Sequence, residues 1–239
     1  MRLLCVIPAR FGSTRLHAKP LRLIGGEPLV RRAVRNALSL DLAADIVVAS
    51  DDARVLAATD DLAPGVLTRA DHASGTARVA EVIAQPAYAG YDVVLTVQGD
   101  EPFLPRAAAL GAVRQVREDG ADVGTAAHPL TPTARRDPHR VKVEVDGRGR
   151  ALRFYRLAAP GGCHRRRSAV WQHIGVYAAR PATLARWQAL PAVPDERTER
   201  LEQARPLAHG WTIGVAVLPD PVPHGIDTED DLRLAEALL

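Results

Sequence analysis

Apolar positions follow two different periods along the chain. Short apolar runs rich in β-branched residues predict buried strands at residues 3–7, 45–49 and 92–97. Apolar positions that recur every three or four residues predict helices at 28–40, 51–59, 75–84 and 106–118. Strands that alternate with helices in this way indicate an α/β fold, with a mostly parallel sheet and helices on both of its faces.

The pattern changes after about residue 120. Strands without long helices between them are predicted at 122–128, 141–145, 151–155 and 170–177, with a hairpin turn at 145–150. Helices are then predicted at 181–188 and 197–207, followed by a strand at 212–218 and a last helix at 228–238. We therefore predict one domain with three parts, residues 1–120, a mixed α/β part at 121–210, and a returning strand and helix at 211–239.

Composition and charge exclude several classes of protein. The chain has 239 residues, of which 47% are hydrophobic and 25% charged, as in globular proteins and unlike disordered chains. Its net charge of +3 is too small for a basic tail, and 4% aromatic residues are too few for a single-strand reader, so we expect no nucleic-acid partner. No apolar run is long enough to span a membrane, and the two cysteines have no close spacing. These features favour a reduced, cytoplasmic protein with no membrane partner.

The loop after the first strand is a candidate anion site. It reads IPARFGSTRLHAKP over residues 7–20 and carries Arg10, Arg15 and Lys19 at short spacing. Open α/β sheets bind ligands beyond the carboxyl ends of their strands, and a polyphosphate needs both charge and directed donors. The simpler alternative is a surface loop with solvated cations. The chain contains neither GxxxxGK[ST] nor GxGxxG, so neither common phosphate motif accounts for this loop.

Three further clusters contain polar side chains near predicted element ends. Asp100, in VQGDEP after the strand at 92–97, can supply one carboxylate to Mg²⁺, although it can also be a turn acid. Asp227 precedes the last helix in GIDTEDDL, where helix capping accounts for Thr228 and the following acids equally well. The stretch TRADHASGTAR at 68–78 has hydroxyls and helix N-terminal amides that can bind a nucleotide base or a phosphate. Ser-Gly-Thr is also an ordinary helix start.

Taken in order, these clusters resemble the 3-deoxy-manno-octulosonate (KDO) cytidylyltransferase family, also known as CMP-KDO synthetases. The matching stretches are residues 7–21, 68–82, 97–105, 173–184, 201–210 and 225–232. The resemblance implies a Rossmann-like, mostly parallel α/β sheet with a smaller mixed lobe that forms a homodimer. It also implies transfer of CMP from CTP to an acidic acceptor with release of pyrophosphate, and Mg²⁺ as cofactor. Residues 1–120 would then bind the nucleotide, and residues 121–210 the acceptor and the second subunit.

The same resemblance assigns roles to individual residues. Arg15, Lys19 and Asp100 would be catalytic, and Asp100 and Asp227 would hold Mg²⁺. Residues that would bind CTP are Ala9, Arg10, Ser13, Arg15, Lys19, Asp71, Ser74, Gly75, Thr76 and Gln98. Residues that would face the acceptor are Gln98, Arg156, His173, Tyr177, Glu202 and Gln203.

The chain also departs from the family pattern. His17 stands where a proline is usual, Ala179 where an aromatic residue is common, and residues 157–167 form a shorter connection without the family's tryptophan. The changed connection leaves two acceptors open, a KDO-like sugar acid or a small phosphonate such as phosphonoformate. Arg165–Arg167 either bind such an anion or form a solvated turn. The alternatives to the whole interpretation are a nucleotidyltransferase for another base and an inactive nucleotide-binding homologue.

Overall fold

The computed structural model describes residues 2–13, 16–156 and 168–239. The chain forms two compact units, one of residues 1–106 with 223–239 and the other of residues 107–222. The functional partition at residues 120 and 210 stays a prediction.

Strands and helices are numbered along the chain. The strands of the described residues are β1 Leu3–Pro8, β2 Leu23–Ile24, β3 Glu27–Pro28, β4 Ala44–Ser50, β5 Gly65–Leu67, β6 Val93–Val97, β7 Val123–Pro129, β8 Lys142–Asp146, β9 Ala151–Tyr155, β10 Ser168–Ala179 and β11 Ile213–Val217. The helices are α1 Leu29–Ser39, α2 Ala53–Ala57, α3 Gly75–Ile83, α4 Arg106–Arg117, α5 Pro132–Arg136, α6 Pro181–Ala189, α7 Pro194–Glu199, α8 Ala204–Ala208 and α9 Glu229–Glu236.

Parallel strands in the order β6-β1-β4-β5 form the sheet of the first unit. Every residue of β1 is buried, which accounts for its unbroken apolar run, because a parallel strand covered on both faces has no polar side. Leu16, Ile24, Leu29, Ile226 and Leu232 pack together in one core cluster. This cluster joins the loop after β1 to the segment before α9, and it thereby places two of the predicted site segments next to each other.

The second unit contains a mixed sheet. β11 runs parallel to β7, and β7–β10, β10–β8 and β8–β9 are antiparallel pairs. The predicted α/β class, the mixed character of this part and the hairpin between β8 and β9 are confirmed. β5 and α5 were not predicted, because the three residues of β5 are too few to show a period and α5 contains no large apolar residue.

The predicted helix at 197–207 is wrong. Two short helices, α7 and α8, replace it, and Arg200 between them has a left-handed backbone with φ of 54°. Pro206 explains the break, because a proline inside a helix lacks the N–H that its fourth preceding carbonyl needs. In α8, which begins at Ala204, Pro206 lies in the first turn, where that hydrogen bond is not required.

Among the helices of the described residues, none has both the length and the apolar character that crossing a membrane requires.

Candidate functional site

Lys19 is held between two carboxylates. It begins a short 3₁₀ turn, Lys19–Leu21, directly after Ala18, whose φ of 49° is unusual for a residue with a side chain. Its Nζ donates to Asp227 Oδ1 at 2.9 Å, to the Ile226 carbonyl at 3.0 Å, and to Asp100 Oδ2. Burial opposes the charge, but the two carboxylates outweigh it and raise the pKa of Lys19. The first unit therefore contains a permanent cation bound by two acids.

Backbone contacts bring Asp100 and Asp227 to the same place. The Ile226 N–H donates to the Asp100 carbonyl at 2.9 Å, so the loop after β6 and the segment before α9 touch directly. Gly225 permits this approach, since a Cβ there would lie 2.9 Å from Glu101 Oε1 and 3.2 Å from the Asp100 carbonyl. The carboxylates are 81 and 208 residues from Lys19 in sequence, and only the fold unites them.

The other acids near Asp227 take part in a helix cap or in ion pairs. Thr228 Oγ1 accepts from the Asp231 N–H at 3.2 Å, and Asp231 Oδ2 accepts from the Thr228 N–H at 2.9 Å, which is a complete capping box. Glu229 pairs with Arg22, and Asp230 pairs with Arg233. The capping alternative is thus confirmed for Thr228 and Asp231, while Asp227 points its carboxylate at Lys19.

The loop after β1 is fixed at two points. The Ala9 N–H donates to the Ala49 carbonyl at 2.9 Å, and the Phe11 N–H donates to Asp51 Oδ1 at 3.0 Å. Between these anchors Arg10 is exposed. Ser13 Oγ accepts from the Leu16 N–H at 3.4 Å. Arg15 lies outside the described residues, so its predicted role stays a prediction.

The segment at 68–78 divides into a cap and an ion pair. Ser74 Oγ accepts from the Ala77 N–H at 3.1 Å and caps α3, as the simpler interpretation predicted. A Cβ on Gly75 would lie 3.1 Å from Gln98 Oε1 and 3.4 Å from Pro8 Cγ, so the helix start approaches both β1 and the end of β6. Thr76 is buried in α3. Asp71 is exposed, and the Arg69 guanidinium, which bonds both of its oxygens, lowers its pKa.

His173 lies in a row of rings in the second unit. The His173 centroid is 5.2 Å from that of Phe154, edge to face, and 5.3 Å from that of Tyr177. Tyr177 continues the row to Trp187 at 6.3 Å. Burial, reinforced by the charges of Arg156 and His128, lowers the pKa of His173 to about 3. His173 is therefore neutral at physiological pH, and its ring nitrogens act as one donor and one acceptor.

Arg156 follows β9 and is held from several sides. Its N–H donates to Glu199 Oε2 at 2.8 Å, and its guanidinium donates to the carbonyls of Glu199 at 3.1 Å and His139 at 3.1 Å. Glu199 ends α7, and Glu202 and Gln203 follow it in the turn to α8, where Gln203 is buried. The turn with these two predicted acceptor residues is thus attached to Arg156 through Glu199.

Comparisons with known proteins agree with these features. A family model described as "Cytidylyltransferase" matches residues 4–213. A 3-deoxy-manno-octulosonate cytidylyltransferase of Gemmatimonas aurantiaca is 49% identical over 238 residues, covering 97% of this chain and 92% of that protein. One of Methylococcus capsulatus is 42% identical over 243 aligned positions, covering 96% of this chain and 94% of that protein. The chain belongs to the 3-deoxy-manno-octulosonate cytidylyltransferase family.

Solved structures extend the comparison to the fold. The structure of CMP:2-keto-3-deoxy-manno-octonic acid synthetase complexed with CTP superimposes with a TM-score of 0.86 at 32% identity, covering 100% of this chain and 98% of that one. The bifunctional IspDF of Campylobacter jejuni has a TM-score of 0.63 at 12% identity, covering 98% of this chain and 54% of that one, and shows likeness of fold alone. The predicted Rossmann-like, mostly parallel α/β fold is confirmed, and it is of the nucleotide-diphospho-sugar transferase type.

Lys19, Asp100 and Asp227, here called the Lys19 cluster, bear on whether this cytidylyltransferase can hold Mg²⁺. Within residues 2–13, 16–156 and 168–239, no group of three or more His, Cys, Asp or Glu side chains is arranged to hold a metal. Asp100 and Asp227, however, converge on one cation, the Lys19 ammonium. Because Mg²⁺ in proteins typically takes one or two carboxylates and completes its shell with water and phosphate oxygens, this pair fits it.

Arg78 is a buried cation that sequence reasoning missed. It is 2% exposed in α3, and its Nη1 donates to Thr68 Oγ1 and to the Arg69 carbonyl at 3.3 Å. Its Nη2 lies 3.5 Å from Asp51 Oδ2, and Asp51 holds the Phe11 N–H. Arg78 thereby ties the segment at 68–78 to the loop after β1. Its spacing of four residues from the apolar Val82 was the available signal, because it places Arg78 on the buried face of the helix.

Lys142, at the start of β8, is the corresponding buried cation of the second unit. It is 1% exposed, and its Nζ donates to the carbonyls of Asp137 at 2.5 Å, Arg140 at 2.9 Å and Arg156 at 2.6 Å. Burial lowers its pKa. No motif marked it, since the partners are backbone carbonyls that any sequence provides. The backbone of Arg156 is thus held at both of its polar groups, because its carbonyl accepts from Lys142 and its N–H donates to Glu199 Oε2.

Proposed function

We propose that this chain transfers CMP from CTP to 3-deoxy-manno-octulosonate or a closely related sugar acid, with Mg²⁺ as cofactor and with release of pyrophosphate. The observation that carries the proposal is the convergence of Lys19, Asp100 and Asp227 in a member of this family. Three segments far apart in sequence supply one cation and two acids at one point.

Charge placement supplies most of the chemistry. An acceptor oxygen attacks the α-phosphorus, the new O–P bond forms as the bond to the β-phosphate breaks, and pyrophosphate leaves while the hydroxyl proton passes to solvent. Arg10 would bind the triphosphate. The three N–H groups of Lys19 are taken by Asp100, Asp227 and the Ile226 carbonyl, so Lys19 would act by its charge, which offsets the negative charge of the phosphates. Asp100 and Asp227 would hold Mg²⁺, which supplies further neutralisation of the phosphates when bound. No covalent nucleophile of the protein is required.

The second unit supplies the groups for an acidic acceptor. Arg156 provides a guanidinium, whose fork of donors suits a carboxylate. His173, which its lowered pKa keeps neutral, adds a direction-specific hydrogen bond without a second charge. Tyr177, Glu202 and Gln203 would complete the acceptor side by resemblance to the family. The sugar acid is favoured over a phosphonate because the full-length relatives are named for it.

A pyrophosphate-release assay tests the proposal directly. The purified chain is incubated with CTP and Mg²⁺, and with KDO, phosphonoformate or no acid. We expect pyrophosphate release only when CTP and KDO are both present, and little release when UTP, ATP or GTP replaces CTP. Chelation of Mg²⁺ should abolish the activity. Turnover with phosphonoformate and not KDO would reassign the acceptor, and equal turnover of all nucleotides would reassign the base. Absence of turnover with every acid would contradict the proposal.

The homodimer is a further proposal from the resemblance, and the cytoplasmic location is one from the composition of the chain. Light scattering on the purified chain measures its mass, and we expect twice the 25.7 kDa of one chain. Fractionation of the source cells tests the location. Arg165–Arg167 fall outside the described residues, so their role as an anion site or a solvated turn stays open.

A further inference from the structure

The hydroxyl of Thr125 has two partners in the second unit. Thr125 lies in β7 and is fully buried. Its Oγ1 is 2.7 Å from the Val176 carbonyl oxygen and 2.9 Å from His173 Nε2. A threonine hydroxyl has one proton to donate and can also accept. The two contacts must therefore run in different directions or compete for the same proton.

The chemistry of the partners decides the direction of both bonds. The Val176 carbonyl can only accept, so the Thr125 hydroxyl donates its proton to that oxygen. Thr125 Oγ1 is then left as an acceptor toward His173, and Nε2 must carry a proton to donate to it. Because a neutral imidazole has only one N–H, Nδ1 of His173 carries a lone pair.

A β-bulge creates this arrangement. Along the β7–β10 ladder Ile174 pairs with Ala126, but the next pair is Tyr177 with Thr125. Gly175 and Val176 are thus extra residues on β10, and their ladder hydrogen bonds are interrupted. The Val176 carbonyl consequently needs another donor, and the Thr125 hydroxyl provides it. The same hydroxyl spans the bulge to reach His173.

The groups around His173 favour the neutral ring. Arg156 and His128 both act on it electrostatically, and each disfavours a second proton. The Phe154 ring meets the His173 ring edge to face, and the Tyr177 ring lies tilted against it. Thr125 is the hydrogen-bond partner of its Nε2. The ring thus has one proton, and the hydrogen bond to Thr125 decides which nitrogen bears it.

We propose that Thr125 is a positioning residue that holds His173 as the Nε2–H tautomer and thereby makes Nδ1 a hydrogen-bond acceptor for a hydroxyl of the acceptor acid. This inference rests on the proposed function, because it assigns His173 to the acceptor. An Nδ1 lone pair repels a carboxylate or phosphonate oxygen and attracts an O–H. The tautomer therefore selects a polyhydroxylated acid over one that has only anionic oxygens, such as phosphonoformate.

Two matched variants test the inference. Thr125→Val keeps the side-chain shape without the hydroxyl, and Thr125→Ser keeps the hydroxyl without the methyl group. Nitrogen-15 NMR of the imidazole distinguishes a protonated from an unprotonated ring nitrogen, and loss of the signals in His173→Gln assigns them. We expect protonated Nε2 in the wild type and in Thr125→Ser, and a mixture or the Nδ1–H form in Thr125→Val.

Kinetics provide the second readout. The loss of one directed hydrogen bond corresponds to about a tenfold change in an equilibrium constant. We expect the KM for KDO to rise about tenfold in Thr125→Val, with the KM for CTP unchanged, and to return to within about threefold of wild type in Thr125→Ser. If Thr125 had only a structural role, each variant would lose activity in proportion to its loss of stability. The KM for KDO and the KM for CTP would then both rise.

The outcomes separate this inference from the proposed function. A wild-type His173 protonated at Nδ1 overturns the inference whatever the activity, and so does a folded Thr125→Val with wild-type KM for KDO. If Thr125→Val does not fold, the wild-type tautomer and Thr125→Ser still decide. If the wild type turns over no acid, the proposed function fails and the assigned use of Nδ1 fails with it, whereas the NMR measurement still reports whether Thr125 sets the tautomer.

Discussion

The two units contain opposite kinds of polar cluster. In the first unit Lys19 lies between the carboxylates of Asp100 and Asp227, and every partner but one carbonyl is charged. In the second unit His173 is kept neutral among aromatic rings, and its partner is the hydroxyl of Thr125. The first site is built from charge and the second from hydrogen-bond direction.

The difference matches the two ligands of the proposed reaction. A triphosphate is recognised by its charge, which long-range electrostatics can balance from several nearby positions. A sugar acid has one carboxylate and several hydroxyls, and hydroxyls are distinguished only by where donors and acceptors point. We therefore expect charge-removing substitutions to dominate in the first unit and hydrogen-bond-removing substitutions in the second.

The largest effect is expected for Asp100→Asn. The variant removes one negative charge from the Lys19 cluster while keeping an oxygen that can accept from Nζ. We expect kcat to fall roughly 10²–10³-fold with little change in melting temperature, since charge stabilisation of the transition state is lost. Asp230→Asn, an exposed acid of α9 paired with Arg233, is the matched control. Near-normal kcat in Asp100→Asn at saturating Mg²⁺ would contradict the proposed metal role of Asp100 and the contrast between the two units.

A large loss of stability is expected for Lys142→Met. The side chain keeps its length, but three backbone carbonyls lose their donor, including that of Arg156. Leaving buried acceptors unsatisfied costs about 1–3 kcal/mol each, so we expect the free energy of unfolding in urea to fall by about 3 kcal/mol. Arg148→Met, an exposed residue of the β8–β9 turn, serves as control. An unchanged urea midpoint would mean that Lys142 does not hold the acceptor side.

The pH dependence of stability tests the neutrality of His173. The unfolded state takes up a proton below the ordinary pKa of 6.5, whereas the folded state resists it down to about 3. The unfolded state therefore binds more protons in this window, and His173 should lower the free energy of unfolding by ~1.4 kcal/mol per pH unit as the pH falls. His173→Gln should remove this slope, and His209→Gln, at an exposed histidine, should not. Equal slopes in all three proteins would contradict a neutral His173.

The smallest effect is expected for the helix cap Ser74→Ala. Loss of the bond to the Ala77 N–H should cost about 1 kcal/mol of stability. Thr131→Ala, which removes the cap of α5 in the second unit, should cost a similar amount. Only Ser74 lies in a segment proposed to bind CTP, so we expect only Ser74→Ala to raise the KM for CTP. A rise in both variants would show that destabilisation alone, and not the place of Ser74, affects CTP binding.

The sequence predicted most of the fold because β1 and β6 are buried along their whole length and β4 over its last four residues. β1, β4 and β6 appear as apolar runs, and α1 as a stripe, so local patterns are enough to find them. The helix predicted at 197–207 is wrong because Pro206 interrupts it and Arg200 has a left-handed backbone. The candidate cations Arg10 and Lys19 could be found from their place after β1, since that position in the fold is general.

The sequence by itself determined the class of the fold, the family and the chemical character of the loops. Tertiary structure alone decided which of these residues meet. Lys19, Asp100 and Asp227 converge because the loop after β1, the end of β6 and the segment before α9 share one apolar cluster and backbone contacts. The pairing of Thr125 with His173 depends on a bulge, and Arg78 and Lys142 act through bonds to groups distant from them in the chain. Such contacts are set by three-dimensional packing and leave no period or motif in the order of residues.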